Sequence, residues 1–436
     1  MSTQPKSSAP PVRTAHTQHS DVLILGAGVM GLSCALQLLK AGRSVTLLDK
    51  GKAGAATSAG NCGTITPSHA QPLTAPGTVS QALRWMLQSD APLRIKPTLN
   101  LERLSWFWHF ARRCRDDIQE ATTRARAAIA LQSRDLLAQL ITDEGFDCEF
   151  VPQGTLHVWR NQQEFEHAQQ DCELLNALGL PVEIKDAQQV HALEPALNDQ
   201  VIGGLYHTRD AQLRPERYMA ELSRRVIELG GRIIEEQLID RIEHQQDRIQ
   251  AVHCGQQIYR ANEYIMALGA WTPKLAKQLA LSIPIQPGKG YSMTYDRPQY
   301  CPKIPMVLEE RSVCVTAWGS GFRLGSTMEF SGYDESMNRQ RLNALERAAR
   351  EYLQDPHGPN KEQEWYGWRP MTWDDLPIIG RAPEQQNLTL ATGHGMLGIT
   401  MSAATSLLVK QIICAEQPAL DPHPYRPSRF TEKQYR

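Results

Sequence analysis

The chain has 436 residues, 41% apolar and 21% charged, with a formal net charge of −1. This length suits two or three domains with sizeable cores, and the balanced charge provides no field that would favour nucleic acid or an anionic membrane. Nine cysteines stand singly with no CxxC, which argues against a disulfide framework and against a metal site, and suits a reducing, cytoplasmic setting.

Residues 1–20 are rich in Ser, Thr, Pro and Gln and read as a disordered tail with no apolar signal region. Order is expected from Asp21. Val22-Leu23-Ile24-Leu25 is a run apolar on both faces, as a buried parallel strand should be. Residues 30–41 follow with helical spacing and end at Gly42, and Ser44 to Leu48 reads as a second buried strand. Residues 21–49 therefore spell one βαβ unit.

Beyond Pro97 a strongly helical stretch carries Trp106, Phe107, Trp108 and Phe110. Residues 154–160 read as a strand, 162–179 as a helix, and 203–231 as a strand, loop and helix. Residues 232–271 alternate like a meander that ends in the buried strand Tyr264–Leu268. Strand-like pieces follow at 289–296, 312–317 and 321–327, then a helix at 334–354. The last section is the strand 387–392, a glycine turn and a helix to about Cys414, with a proline-rich tail after it. No run reaches the ~18 apolar residues of a spanning helix. The fold class is α/β: a Rossmann-like domain of interleaved segments (21–75, 200–283 and 360–416) and an α+β, mixed-sheet domain (76–199 and 284–359), with 417–436 a tail.

Gly26-Ala27-Gly28-Val29-Met30-Gly31 is GxGxxG between a strand and a helix. Gly26 permits the tight turn, Gly28 the approach of a pyrophosphate, and Gly31 close helix–strand packing. The helix start offers unpaired N–H groups to phosphates. Asp49 ends the second strand, 18 residues after Gly31, where a carboxylate accepts ribose hydroxyls and repels a 2′-phosphate. Lys50 follows it. The bland alternative is a glycine turn that merely packs a helix.

Three more stretches bear on which dinucleotide binds. Gly54 to Thr64 is small and polar, including Thr57, Ser58, Asn61, Gly63 and Thr64. Ala267, Gly269 and Trp271 follow a buried strand. Gly393-His394-Gly395-Met396-Leu397-Gly398, with Thr400 beyond, opens a late helix whose amides form a second anion-friendly start. A helix start aimed at a flavin stabilises the charge it gains on reduction. Each stretch alone reads as an ordinary loop; together they favour FAD over NAD.

Residues 22–430 resemble the FAD-dependent D-amino acid oxidase/dehydrogenase superfamily, and within it the bacterial D-amino acid dehydrogenases. LILGAGVMGLSCALQLLKAG, TSAGNCGTITPSHAQPLTAPG, the APL-containing segment at 85–97, WRPMTWDDLPIIGR and ATGHGMLGITMSAATSLLV carry the likeness. The resemblance implies that the glycine-rich regions line one FAD. Relatives usually read TPDG where this chain has Thr372-Trp373-Asp374-Asp375, and an alanine-rich SxANAG at Ser58–Gly63. Gly367 stands where covalent-flavin relatives have a cysteine, which implies non-covalent FAD.

The implied chemistry is oxidative deamination: the α-hydrogen leaves as hydride to the flavin, and the imine hydrolyses to a 2-oxo acid and ammonia. Such a reaction needs positioning more than acid–base groups. Arg369 matches the substrate-carboxylate position of glycine-oxidase-type relatives; the alternative is pairing with Asp374 or Asp375. Val313 occupies the place of a strand tyrosine in relatives, and Tyr291 is a substitute unless it is a buried sheet residue. Arg323 stands where oxygen-using relatives carry a lysine, which leans toward a quinone-type acceptor. His394 is read as a residue packing the cofactor. The aromatic run 106–110 with its arginines reads as a core helix with a basic face, or as an interfacial helix making peripheral membrane contact. The rival readings are a D-hydroxyproline or N-methyl amino acid dehydrogenase, an oxygen-using amine oxidase, and a flavin- or NAD-binding protein without turnover. The sequence carries no sign of oligomeric state.

Overall fold

A computed structural model describes residues 17–85 and 92–431. Expectations for residues 1–16, and for part of the segment at 85–97, lie outside the described residues. Two sheets organise the chain.

The first sheet grows from the βαβ unit. Its opening strand (Thr17–Leu25) pairs in parallel with Val45–Leu48 on one side and Gln257–Met266 on the other. Arg232–Ile234 extends the parallel set beyond Val45–Leu48, and Gln385–Thr392 adds to the far end of Gln257–Met266. Three antiparallel strands border it. Side chains Val22 and Ile24 fall in one buried cluster, Leu23 and Leu25 in another. The strand is thus buried on both faces, which is why its sequence lacks polar alternation.

On one face the first helix (Val29–Lys40) packs against the last (Gly398–Ile413). A 29-residue helix (Asp116–Glu144) lies against the last helix and places Ile129, Ala130, Leu137 and Ile141 in the same core. It ends at Gly145, whose φ of 64° closes the helix in a left-handed cap.

The second sheet has nine strands in the order 361–372, 285–295, 321–330, 313–318, 306–308, 155–159, 203–207 and 182–186, with 93–95 on the side of 321–330. A helix (Arg339–Tyr352) covers one face through Leu342, Leu345 and Ala349. The other face looks toward the first sheet across a large cavity.

The element readings at 154–160, 203–231, 312–317 and 387–392 match observed strands and helices. Four placements differ. Residues 17–20, expected in the tail, continue the parallel ladder with 258–261. The helical stretch after Pro97 breaks at 113–115 into two helices, and its second part belongs to the first core. Strands 203–207 and 361–372, expected with the dinucleotide domain, pair within the second sheet. The segment after 417 is partly built in: Tyr425 and Arg429 are buried, Tyr425 donates to the Ala125 carbonyl at 2.7 Å, and Phe430 packs edge-on to Trp373 at 5.3 Å. Its proline content signalled an irregular backbone, while its aromatic and arginine side chains determine where it goes. Among the described residues, no helix is long and apolar enough to cross a membrane.

Candidate active site

The turn after the first strand is shaped by what its glycines exclude. Gly26 has φ 103°, and a Cβ there would lie 2.6 Å from the Ala267 carbonyl oxygen. A Cβ on Gly31 would run into the Gly26 carbonyl oxygen. The helix therefore starts tight against two strands, with Gly28 as an N-cap that has no side chain to satisfy its amides. Ser58 Oγ accepts from Val29 N at 3.0 Å. Asp49 accepts from Ala27 N at 2.8 Å through one oxygen and from Gly51 N at 2.9 Å through the other. Each carboxylate oxygen keeps a further lone pair for a ligand hydroxyl.

These groups border a cavity of ≈ 1240 Å³ between the sheets. Gly26, Gly28, Val29, Met30, Asp49 and Lys50 line it on the first-strand side. Thr57, Ser58, Asn61 and Thr64 line it from the following loop, and Ala267, Gly269 and Trp271 from the end of the neighbouring strand. The Lys50 ammonium sits 4.1 Å over the Trp271 ring. His394, Gly395, Met396, Leu397, Gly398 and Thr400 close the wall at the start of the last helix, which again lacks a side-chain cap. Four predicted residues support the wall without lining it. Ala27 fixes Asp49, Gly31 seats the helix, a Cβ on Gly63 would meet the Leu213 carbonyl, and one on Gly393 would lie 2.8 Å from Thr372 Cγ2.

Two uncapped helix starts, an acidic strand end and glycine turns with no room for a Cβ converge on one cavity. That is the donor and acceptor set a flavin dinucleotide needs: amides for pyrophosphate and flavin, a carboxylate for ribose. A side chain at Gly367 would collide with the Trp365 ring, so no attachment residue can stand there. Non-covalent binding follows at that position.

Arg369 lies on the second sheet, and its guanidinium covers Gly290, the residue whose missing side chain makes room for it. It donates to the Thr327 carbonyl at 2.7 Å. Burial disfavours its charge, and the Cys62 and Cys314 sulfurs offset this in part. It has no carboxylate partner among the described residues: Asp375 pairs with Arg126 at 2.7 Å and Asp374 with Arg429 at 2.8 Å. The alternative, that Arg369 holds its own loop through these aspartates, is thereby removed. A half-buried cation facing a cavity with spare donors calls for an anion.

The two companion residues do not join it. The ring of Tyr291 packs in the core under helix 339–352, with its hydroxyl 3.3 Å from Glu329. Tyr291 borders the cavity, but strand alternation directs its ring to the face opposite that of Gly290 and Ser292. Arg323 is fully buried and does not line the cavity. It donates to the carbonyls of Ala59 and Asn61 at 3.0 and 2.7 Å, to Thr294 Oγ1 at 2.9 Å and to Glu216, tying the 57–64 loop to the second sheet. Val313 is a core residue of that sheet.

Other groups had no sequence signal, because their partners are remote. Cys62 and Cys314 come together on the cavity wall; the Cys314 thiol holds Cys62 below the usual thiol range, and Arg323 and Arg369 add to this. His69, His157 and His207 meet from three segments, with ring centroids 5.3 and 4.5 Å apart.

Burial, the dominant cause in each case, holds His69 down at about 4, His394 down at about 3, and His207 well below the ordinary value. His394 is therefore a neutral ring, 3.0 Å from Thr405 Oγ1. For a histidine with a depressed folded pKa, the unfolded chain binds the extra proton, so stability is lost as pH falls below 6.5. Asp210 opposes this, because burial raises it to about 6 and the folded state gains the proton first. Burial raises Asp375 in the same direction as Asp210, and the three histidines outweigh the two aspartates, so Tm is expected to fall between pH 7 and pH 5. Scanning fluorimetry that showed an equal or higher Tm at pH 5 would contradict the assignment of buried neutral rings.

Residues 21–412 match the family described as FAD dependent oxidoreductase (DAO). A D-amino acid dehydrogenase from Agrobacterium fabrum is 33% identical over 425 residues, covering 94% of this chain and 99% of that protein. Among solved structures, glycine oxidase from Geobacillus kaustophilus superimposes with a TM-score of 0.76 at 21% identity, covering 94% of this chain and 99% of the other. L-proline dehydrogenase from P. horikoshii gives 0.71 at 17%, covering 95% and 99%. These two structures share the fold.

Proposed function

Since the chain belongs to the DAO family of FAD-dependent oxidoreductases, we propose that it oxidises D-amino acids to 2-oxo acids and ammonia and passes the electrons to a quinone-type acceptor. The observation that carries this reading is Arg369: a cation on the cavity wall, free of any carboxylate among the described residues and 2.7 Å from a single carbonyl. Its planar fork takes a substrate carboxylate through two parallel hydrogen bonds. Holding that end fixes the direction of Cα, the main contribution the protein makes to such a reaction. FAD, when bound, supplies the two-electron acceptor for the α-hydrogen and its bonding pair. The amide starts at Gly28 and Gly398 and the Asp49 carboxylate would hold the cofactor. The imine left behind reacts with water to release ammonia.

The acceptor reading draws on the surface beside the cavity. Trp106, Phe107 and Phe110 border the cavity from helix Leu101–Arg112, and Trp106 donates to the Pro284 carbonyl at 3.1 Å. The outer side of this region exposes Leu99, Leu101, Leu104 and Trp108, with Arg112 stacked 4.5 Å over Trp108. An apolar surface with a basic rim suits an acceptor drawn from a lipid phase and peripheral contact with a membrane. A product assay tests the reaction. Protein loaded with FAD and given a soluble quinone is expected to form 2-oxo acid and ammonia from D-amino acids and not from their L enantiomers. Turnover of L enantiomers alone, or of N-methyl or cyclic imino acids alone, would replace the D-amino acid reading with one of those.

A further inference from the structure

The substrate wall of the cavity is one face of the second sheet, and its register can be followed from strand to strand. Ser292 is opposite Gly325, Gly325 opposite Cys314, Cys314 opposite Val307, Val307 opposite His157, and His157 opposite Leu205. Directly paired residues present their side chains on the same face, and all of these except Gly325 line the cavity. The wall thus runs unbroken from the neighbourhood of Arg369 to His157.

The far end differs in chemistry from the rest. His157 Nδ1 lies 2.6 Å from Glu309 Oε1, and His69 and His207 flank the same ring. With Nδ1 facing the carboxylate, Nε2 is the ring nitrogen left over for a ligand. His157 Nε2 and His207 Nδ1 have no hydrogen-bond partner, although both rings are buried. Arg126, the cation that also borders this end, is spent on Asp375 and on the carbonyls of Ala70 and His69 at 3.0 Å each. This end therefore offers unpartnered ring nitrogens and one carboxylate.

Its distance from the clamp sets the length of what it can read. The guanidinium of Arg369 lies over Gly290 and reaches the Thr327 carbonyl on the next strand, and His157 stands three to four strands further on, ~14–19 Å at ~4.8 Å per strand. An extended lysine-length side chain spans ~7–8 Å from carboxylate to terminal nitrogen, and a hydrogen bond of ~2.9 Å at each end brings the total to ~13 Å.

We propose that His157, Glu309 and the flanking His69 and His207 form a side-chain subsite that selects D-amino acids with a long side chain ending in a cationic, N–H-bearing group. The inference rests on the D-amino acid reading above and adds the substrate class.

The test compares kcat/KM for D-lysine and D-norleucine, which share chain length and differ by the terminal amine, on the FAD-loaded full-length protein. The wild type is expected to prefer D-lysine at least tenfold. Glu309→Gln and His157→Leu are each expected to bring the ratio toward one, mainly through KM for D-lysine. Glu309 is 29% exposed in its side chain, so its variant carries the test if His157→Leu does not fold. A preference for D-norleucine, or a ratio that neither variant moves, overturns the subsite. Turnover of D-alanine without turnover of D-lysine overturns the subsite alone, whereas absence of turnover with every D-amino acid overturns the functional reading beneath it.

Discussion

Replacing Arg369 by alanine is expected to lower kcat/KM for carboxylate-bearing amines ~100-fold or more, with most of the loss in KM. Truncating one partner of a desolvated, hydrogen-bonded charge pair typically costs about 2–5 kcal/mol, and each 1.4 kcal/mol is tenfold. The location of Arg369 supports the upper part of that range, because among the described residues no other cavity-lining arginine is available to take over: Arg126 is committed to Asp375. Lysine at 369 should rescue only partly, since a point charge on a flexible stem cannot reproduce the two parallel bonds of the fork. The position is also physically separable from folding. Arg369 has one backbone acceptor and no ion pair among the described residues, so the alanine variant should keep its FAD and its unfolding temperature. Loss of FAD together with activity would mean that Arg369 holds the wall and not the substrate. An unchanged KM would remove it from the clamp role.

Arg429→Ala is expected to be the most destabilising single change outside the glycine turns. The side chain is completely buried and donates to Asp374 at 2.8 Å, to the Tyr425 carbonyl at 2.8 Å and to the Leu376 carbonyl at 3.0 Å. Removing it leaves the Asp374 carboxylate buried without its cation, a class of change that costs about 3–5 kcal/mol. That is a large share of the ~5–15 kcal/mol by which proteins are stable. The damage should spread to the cavity, because Asp374 is adjacent to Asp375, which anchors Arg126 and accepts from Leu73 N at 2.8 Å. The exposed pair Arg115–Asp117 is the control: breaking it should change stability by at most about 1 kcal/mol. Thermal unfolding of the two variants side by side checks this, and similar melting temperatures would show that the C-terminal segment merely lies on the surface.

These two arginines mark the limits of what the sequence makes legible. Local patterns came through well. The apolar run 22–25, the glycine turn and Asp49 each act within a few residues, so their spacing states their geometry. The late turn 393–398 was readable for the same reason. Arg369 was found through resemblance, and its freedom from Asp374 and Asp375 was visible only in three dimensions. The partners that occupy those aspartates come from Arg126 on the long helix and from Arg429 near the chain end. Asp375 also takes a φ of 56°, the left-handed conformation a glycine would adopt freely, at the position where relatives read the glycine of TPDG.

Tyr291 shows a different limit. Its strand is buried along both faces from Pro287 to Tyr295, so hydrophobicity could not reveal which alternate residues face the cavity. Arg323 was recognised as a special position, but its four acceptors lie in three other parts of the chain and convert it from a pocket residue into a tie between loop and sheet. The division into segments erred where a strand crosses from one sheet to the other within a few residues. Residues 361–372 belong to the second sheet, while 378–382 belong to the first. The three histidines at the far end of the cavity are separated by 88 and 50 residues (69 to 157 and 157 to 207), and no local pattern links them.

The most direct measurement is anaerobic mixing of the FAD-loaded protein with single enantiomers of a panel of amino acids, watching the visible absorption band of the oxidised flavin. The D enantiomers are expected to bleach the band in a single turnover, with a dependence on concentration that weakens sharply in Arg369→Ala. A band that persists with every D-amino acid, in protein shown to hold FAD, would contradict the account.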